Sequence, residues 1–129
     1  MKYQIISIEN MNIIKDRFNQ CYDGLIENIS IVYSDKARWP DVTLIIETQD
    51  NLEESGWSKL SLRLIEVREM RIMEGKSSYR VLSEGIILVP LGNWWGIGFE
   101  DSVENTKTVK EFIQSSFYFV STCIEWTVS

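Results

Sequence analysis

Ile86-Ile87-Leu88-Val89-Pro90-Leu91-Gly92-Asn93-Trp94-Trp95-Gly96-Ile97-Gly98-Phe99 is two apolar runs on either side of Gly92-Asn93. A glycine in a two-residue connection supplies the positive φ that hairpin turns need, so the stretch reads as an antiparallel hairpin. In that register Trp95, Ile97 and Phe99 share a face with Ile86, Leu88 and Pro90, while Gly96 and Gly98 lie opposite Val89 and Ile87. One face is bulky and the other partly bare. Glycine inside a strand marks the close approach of another backbone, a ligand or a packed helix, and the helix encoded just downstream is the expected neighbour.

That helix is signalled by Thr108-Val109-Lys110-Glu111, a capping box, with Val109, Phe112 and Ile113 as a short apolar stripe. Phe117 to Val128, aromatic and β-branched, reads as a closing strand. Upstream, Leu60, Leu62 and Leu64 alternate with Ser61 and Arg63; the apolar parity then flips to Ile65 and Val67 and returns to Met70 and Ile72. Such a flip predicts a β-bulge or sharp bend, because one extra residue turns every later side chain to the other face. Leu25 to Ser34 and Val42 to Thr48 read as an antiparallel pair around a turn that contains Pro40. Before them, Met11, Ile14, Phe18 and Cys21 recur at three- and four-residue spacing, predicting a helix near residues 10–21 that ends before Gly24, and Lys2 to Ile8 reads as a first strand. The expected fold class is α+β, mainly antiparallel β-sheet with two short helices, in one domain over residues 1–129, since no repeat or linker-like tract interrupts it.

With 129 residues, 44% hydrophobic and 25% charged, the chain has the composition of an ordinary globular protein. A net charge of −6 argues against nucleic acid, whose binding draws on Lys and Arg neutralising phosphates, and against anionic lipid. The first apolar stretch is too short and too soon broken for a signal peptide, and no segment approaches the roughly 18 apolar residues of a membrane span, so a cytoplasmic protein is expected. Cys21 and Cys123 form no CxxC pair, and in a reducing compartment both read as free thiols packed as small hydrophobes.

The sequence contains no histidine. That removes Ser and Cys triads that rely on it, imidazole bases and the usual zinc and non-haem iron sites. Glu66, Glu69 and Glu74 among Arg63, Arg68 and Arg71 have the alternation of a solvated sheet face, and Gly92 to Gly98 fits no phosphate loop. No catalytic, cofactor-binding or metal-ligating residue is therefore assigned. Of five tryptophans, Trp57, Trp95 and Trp126 are expected in the core, while Trp39 and Trp94 lie at turns, where aromatic residues make good interface anchors. The loop Gln49 to Gly56 carries Asp50, Glu53 and Glu54, expected as rim charges that attract a basic protein partner.

Asp23-Gly24-Leu25, Trp57 with Leu60, Leu62, Leu64 and Val67, Val81-Leu82-Ser83-Glu84-Gly85-Ile86, Gly98-Phe99-Glu100 and Ser116-Phe117-Tyr118 together resemble a group of small bacterial proteins. Some of that group are similar to immunity proteins of polymorphic or contact-dependent toxin systems. The resemblance covers residues 23 to 128 and rests on hydrophobic and turn positions, so it implies a shared fold first, and second a non-catalytic protein that neutralises a basic toxin domain. Two other readings stand beside it. One is a small-molecule-binding or carboxylate-using enzyme domain with a pocket near Gly96 and Gly98; the other is an intracellular subunit that pairs through an exposed sheet edge, a homodimer included.

Overall fold

The computed structural model describes residues 2–72 and 81–129. Its frame is an antiparallel sheet of β1 (Gln4–Ile5), β2 (Gly24–Val32), β3 (Asp41–Gln49), β4 (Trp57–Arg71), β5 (Val81–Leu82), β6 (Ile87–Leu91), β7 (Trp94–Gly98) and β8 (Tyr118–Val128). The order across the sheet is β5-β2-β3-β4-β8-β7-β6, and β1 pairs with β8 at residues 125–126, beyond the stretch that β7 occupies. With two short helices, α1 (Ile13–Asp16) and α2 (Val109–Phe112), this is the expected mainly antiparallel α+β architecture. No helix among the described residues is long and apolar enough to cross a membrane.

Strict alternation builds the main core. Leu44, Leu62 and Trp126 share one row across β3, β4 and β8, and with Val42, Ile46, Leu60, Leu64 and Ile124 they line one face of the sheet. The sheet curls around that face into a half-barrel, and Ile14, Phe18 and Cys21 close it from above. The parity flip in β4 has the predicted cause. Glu66 adopts φ +51, and the β4–β8 register shifts between Val67 and Glu69. Leu64 and Val67 both reach the core, three residues apart, while Ile65 is half-buried and faces away from it.

The hairpin also forms as read: Leu91 pairs Trp94 around Gly92-Asn93, and Gly92 takes φ +70. Its bare side receives α2. A Cβ on Gly96 would stand 2.7 Å from the Phe112 ring, and one on Gly98 2.7 Å from Val103. Phe112 and Val103 pack there with Ile87, Val89, Leu91, Tyr118 and Val120 as a second, smaller core on the outer face. The capping box is present, with Glu111 N–H donating to Thr108 Oγ1 at 3.2 Å and the Glu111 carboxylate accepting from Lys107 N–H.

Four expectations need correction. The first helix is a single α-turn, not residues 10–21; after Arg17 the chain enters a left-handed turn in which Asn19, Gln20 and Cys21 have φ of 48°, 56° and 57°. Phe18 and Cys21 still reach the core, because the chain docks against Gly85, where a Cβ would lie 2.4 Å from Gln20 O. The first strand shrinks to Gln4–Ile5, and Gly24 begins β2 instead of capping a helix. Trp57 is exposed at the start of β4, whereas Trp126 is buried and Trp95 packs on the core as expected.

Candidate functional site

Trp39 and Trp94 stand 55 residues apart in sequence, and the fold brings them together: their ring centroids are 5.5 Å apart at 73°, an edge-to-face contact. Trp94 opens β7 directly after the hairpin turn, and Trp39 lies in the loop before β3, one residue ahead of Pro40. The β4 bulge ties the two regions. Val67 N–H donates to Pro40 O at 2.7 Å and Glu66 N–H to Asp41 Oδ1 at 2.9 Å, which clamps the Trp39 end of β3 to the bulge. Because the bulge inserts a residue, Arg68 leaves the core side and its guanidinium lies 4.6 Å from the Trp94 ring centroid. Arg38 stacks similarly on Trp39 at 5.2 Å.

The result is a surface patch of two half-buried tryptophans and two exposed arginines. An edge-to-face aromatic pair is worth about 0.5–1.5 kcal/mol and an exposed cation–π contact about 0.5–1 kcal/mol, enough to hold these side chains in place before any partner arrives. Trp and Arg are also the residue types enriched at interface hot spots. Reading the sequence found the tryptophans and missed the arginines. The signal for Arg68 was present in the parity flip, which places residue 68 opposite Val67.

The acidic loop is elsewhere. β3 separates Trp39 from Asp50 by about 30 Å, at about 3.3 Å per strand residue. Glu53 and Glu54 are exposed on that loop, as expected of rim charges, but Asp50 is not: it is 1% exposed. Its Oδ1 accepts from Arg17 Nε at 2.9 Å and its Oδ2 from Arg17 Nη2 at 3.1 Å, while Leu52 N–H donates to Oδ1 at 3.0 Å. Burial pushes the Asp50 pKa up, but the hydrogen bonds from Arg17 and Leu52 outweigh it and hold the carboxyl below its ordinary value. Asp50 is thus an internal anchor between the loop and the α1 segment. It is not a binding charge.

The remaining candidates resolve individually. Gly96 and Gly98 leave no pocket against the sheet, because Phe112 and Val103 occupy the space. In the mixed-charge strand, Arg63 Nε donates to Glu125 Oε1 at 2.8 Å across to β8 and its guanidinium stacks on Tyr3 at 4.2 Å. Glu66 sits in the bulge, Glu69 is half-buried, and Glu74 lies outside the described residues. Among the described residues no three Cys, Asp or Glu side chains gather as metal ligands. Cys21 is buried in the core and its thiol is pushed up to about 12 by burial; Cys123 lies half-buried in β8, one residue before the core residue Ile124. Compared with known proteins, the chain matches no family model, no curated protein and no solved structure.

Proposed function

We propose that this protein is a non-catalytic protein-binding domain that docks its partner on the patch of Trp39, Trp94, Arg38 and Arg68. The observation that carries this reading is the convergence of two turn-borne tryptophans, each stacked by an arginine, at the bulge. Such side chains bury much area on docking and lose little freedom, because their rotamers are already held. The resemblance to immunity proteins supports a toxin domain as the partner, and small size and the absence of histidine suit a chain that acts by occlusion. Arg38 and Arg68 would face carboxylates or aromatic rings on that partner.

The test is co-expression with the product of a large toxin-type gene adjacent to its own. The wild-type chain should restore growth and co-purify with the toxin domain. Trp94→Ala should weaken binding by about 2–4 kcal/mol, roughly 30- to 1000-fold in Kd, mainly by faster dissociation. Circular dichroism should show the variant folded. Unchanged affinity in a folded Trp39→Ala/Trp94→Ala protein would reject the patch as the docking surface.

A further inference from the structure

β6 is the last strand on its side of the sheet, and its outer edge does not open onto flat solvent. Residues that flank a two-residue turn exchange both backbone hydrogen bonds, so Leu91, Val89 and Ile87 point their N–H and C=O groups inward at β7. Ile86, Leu88 and Pro90 therefore point theirs outward. The first outward rung is taken by the chain itself, since Ile86 N–H donates to Gln20 O at 2.8 Å. Leu88 offers both a donor and an acceptor, and Pro90 offers a carbonyl alone. These groups open into a groove of about 380 Å³.

The groove has a wall on each face of the sheet. Met11, Ile14 and Lys15 form one, on the side of the main core that holds Leu88; Glu104, Thr106 and Lys107 form the other, next to Val103 on the side that holds Ile87 and Val89. Lys15 and Lys107 form no salt bridge within 4 Å among the described residues; Lys107 lies near enough to Glu111 to help hold that carboxyl below its ordinary value, and Glu104 is an acid on the same wall, so Lys15 faces the groove without such a neighbour in the lining. At the end of the groove sits the left-handed turn Asn19–Cys21, three successive non-glycine residues in a conformation that persists only when its surroundings impose it. Here it aims the Gln20 carbonyl at the strand edge and so begins a ladder that the fold does not continue.

We propose that this groove accepts an extended segment of a partner protein as an added strand on β6, with acidic side chains meeting Lys15 and Lys107. Successive side chains of such a strand point to opposite walls, so two adjacent carboxylates reach one lysine each while the backbone takes up the Leu88 rung. Pro90, with no N–H, ends the available edge and limits the segment to about four or five residues. This surface is separate from the Trp39 and Trp94 patch and does not depend on it.

The probe is the capped hexapeptide Thr-Val-Glu-Glu-Val-Thr, read by amide hydrogen exchange and backbone NMR of the full chain. In the free protein the Leu88 amide should exchange at least about 100-fold faster than that of Val89, and the peptide should protect it. The same peptide N-methylated on alternate amides should leave Leu88 unprotected. Lys15→Glu/Lys107→Glu, both exposed positions, should weaken binding about tenfold or more with the rest of the spectrum unchanged. No saturable binding below about 1 mM, or equal binding by the double charge reversal, overturns the proposal. So does a Leu88 amide already as protected as Val89 without peptide, whether at all concentrations, which means a closed edge, or only as concentration rises, which means that a second copy occupies the groove.

Discussion

Removing the Asp50 carboxylate should be among the most damaging single changes outside the apolar core. Asp50 is 1% exposed and its partner Arg17 has a side chain 15% exposed, so Asp50→Ala leaves a guanidinium mostly shielded from water with no counter-charge. Breaking a buried pair from one side costs about 3–5 kcal/mol. Arg17 keeps its stacking on Phe18 and Trp126, at 5.0 and 5.7 Å, and retains some access to solvent, which points to the lower end, about 3 kcal/mol. With a urea slope of about 1–3 kcal/mol per molar, the unfolding midpoint followed by tryptophan fluorescence should fall by about 1–3 M. Adding Arg17→Met to Asp50→Ala should recover most of the loss, because two apolar groups need no counter-charge. The pH dependence has a definite sign. The folded pKa of Asp50 lies below the unfolded one, so the stabilisation is fully present above about pH 5 and is lost as pH falls below the unfolded value near 3.9 toward the folded one. The gap between wild type and variant should therefore narrow in acid. A loss under about 1 kcal/mol at pH 7, or one that vanishes in about 1 M salt as for a surface pair, would refute the burial argument.

Gly96→Ala should destabilise by about 1–3 kcal/mol, because its Cβ would meet three ring atoms of Phe112 at 2.7–2.9 Å, and Phe112→Leu in the same chain should return part of that; simple additivity by urea titration would show that the two do not touch. Leu62→Ala, at a fully buried position between Leu44 and Trp126, should cost about 2–5 kcal/mol, and a loss below about 1 kcal/mol would mean that β4 presents its other face to the core. At pH 8 Cys123 should react with a thiol-specific disulfide reagent well before Cys21, whose thiol burial pushes up to about 12 and encloses; two thiols titrating together in the native protein would contradict that placement.

The β-structure was legible where one residue pattern meant one thing. Alternating leucines in β4 require a half-buried strand, Gly92-Asn93 requires a tight hairpin, and the parity flip at residues 64–67 requires a break in the extended backbone, which Glu66 supplies with φ +51 just before the register shift between Val67 and Glu69. The helix expected at residues 10–21 is only one turn for a physical reason. A three- and four-residue apolar spacing specifies which side chains are buried without specifying the path between them, and docking on Gly85 imposes a left-handed turn on Asn19–Cys21 that no local pattern announces. Asp50 is buried for a similar reason. An acidic residue in a polar loop resembles a surface charge until its partner is known, and Arg17 lies 33 residues away. Trp39 and Trp94 could be chosen as turn residues from sequence, but their meeting depends on the β4–β8 register shift at the bulge and on the pairing of β3 with β4 and of β7 with β8.

The separation of the two halves of the expected surface changes what a partner of the proposed patch would look like. A standard interface buries about 800 Å² per side, a patch about 30 Å across, so one centred on Trp39 and Trp94 extends only about 15 Å toward the far end of β3. Glu53 and Glu54, about 30 Å away along that strand, stay outside the contact, and at physiological ionic strength a gap of that size exceeds the screening length of about 8 Å. The net charge of −6 then describes the molecule as a whole, and at the proposed patch charges of both signs stand together. Arg38 and Arg68 stack on the two tryptophans, with Asp41 and Glu66 beside them at the bulge, so a partner on the proposed patch would meet the arginines with acidic or aromatic groups at its centre.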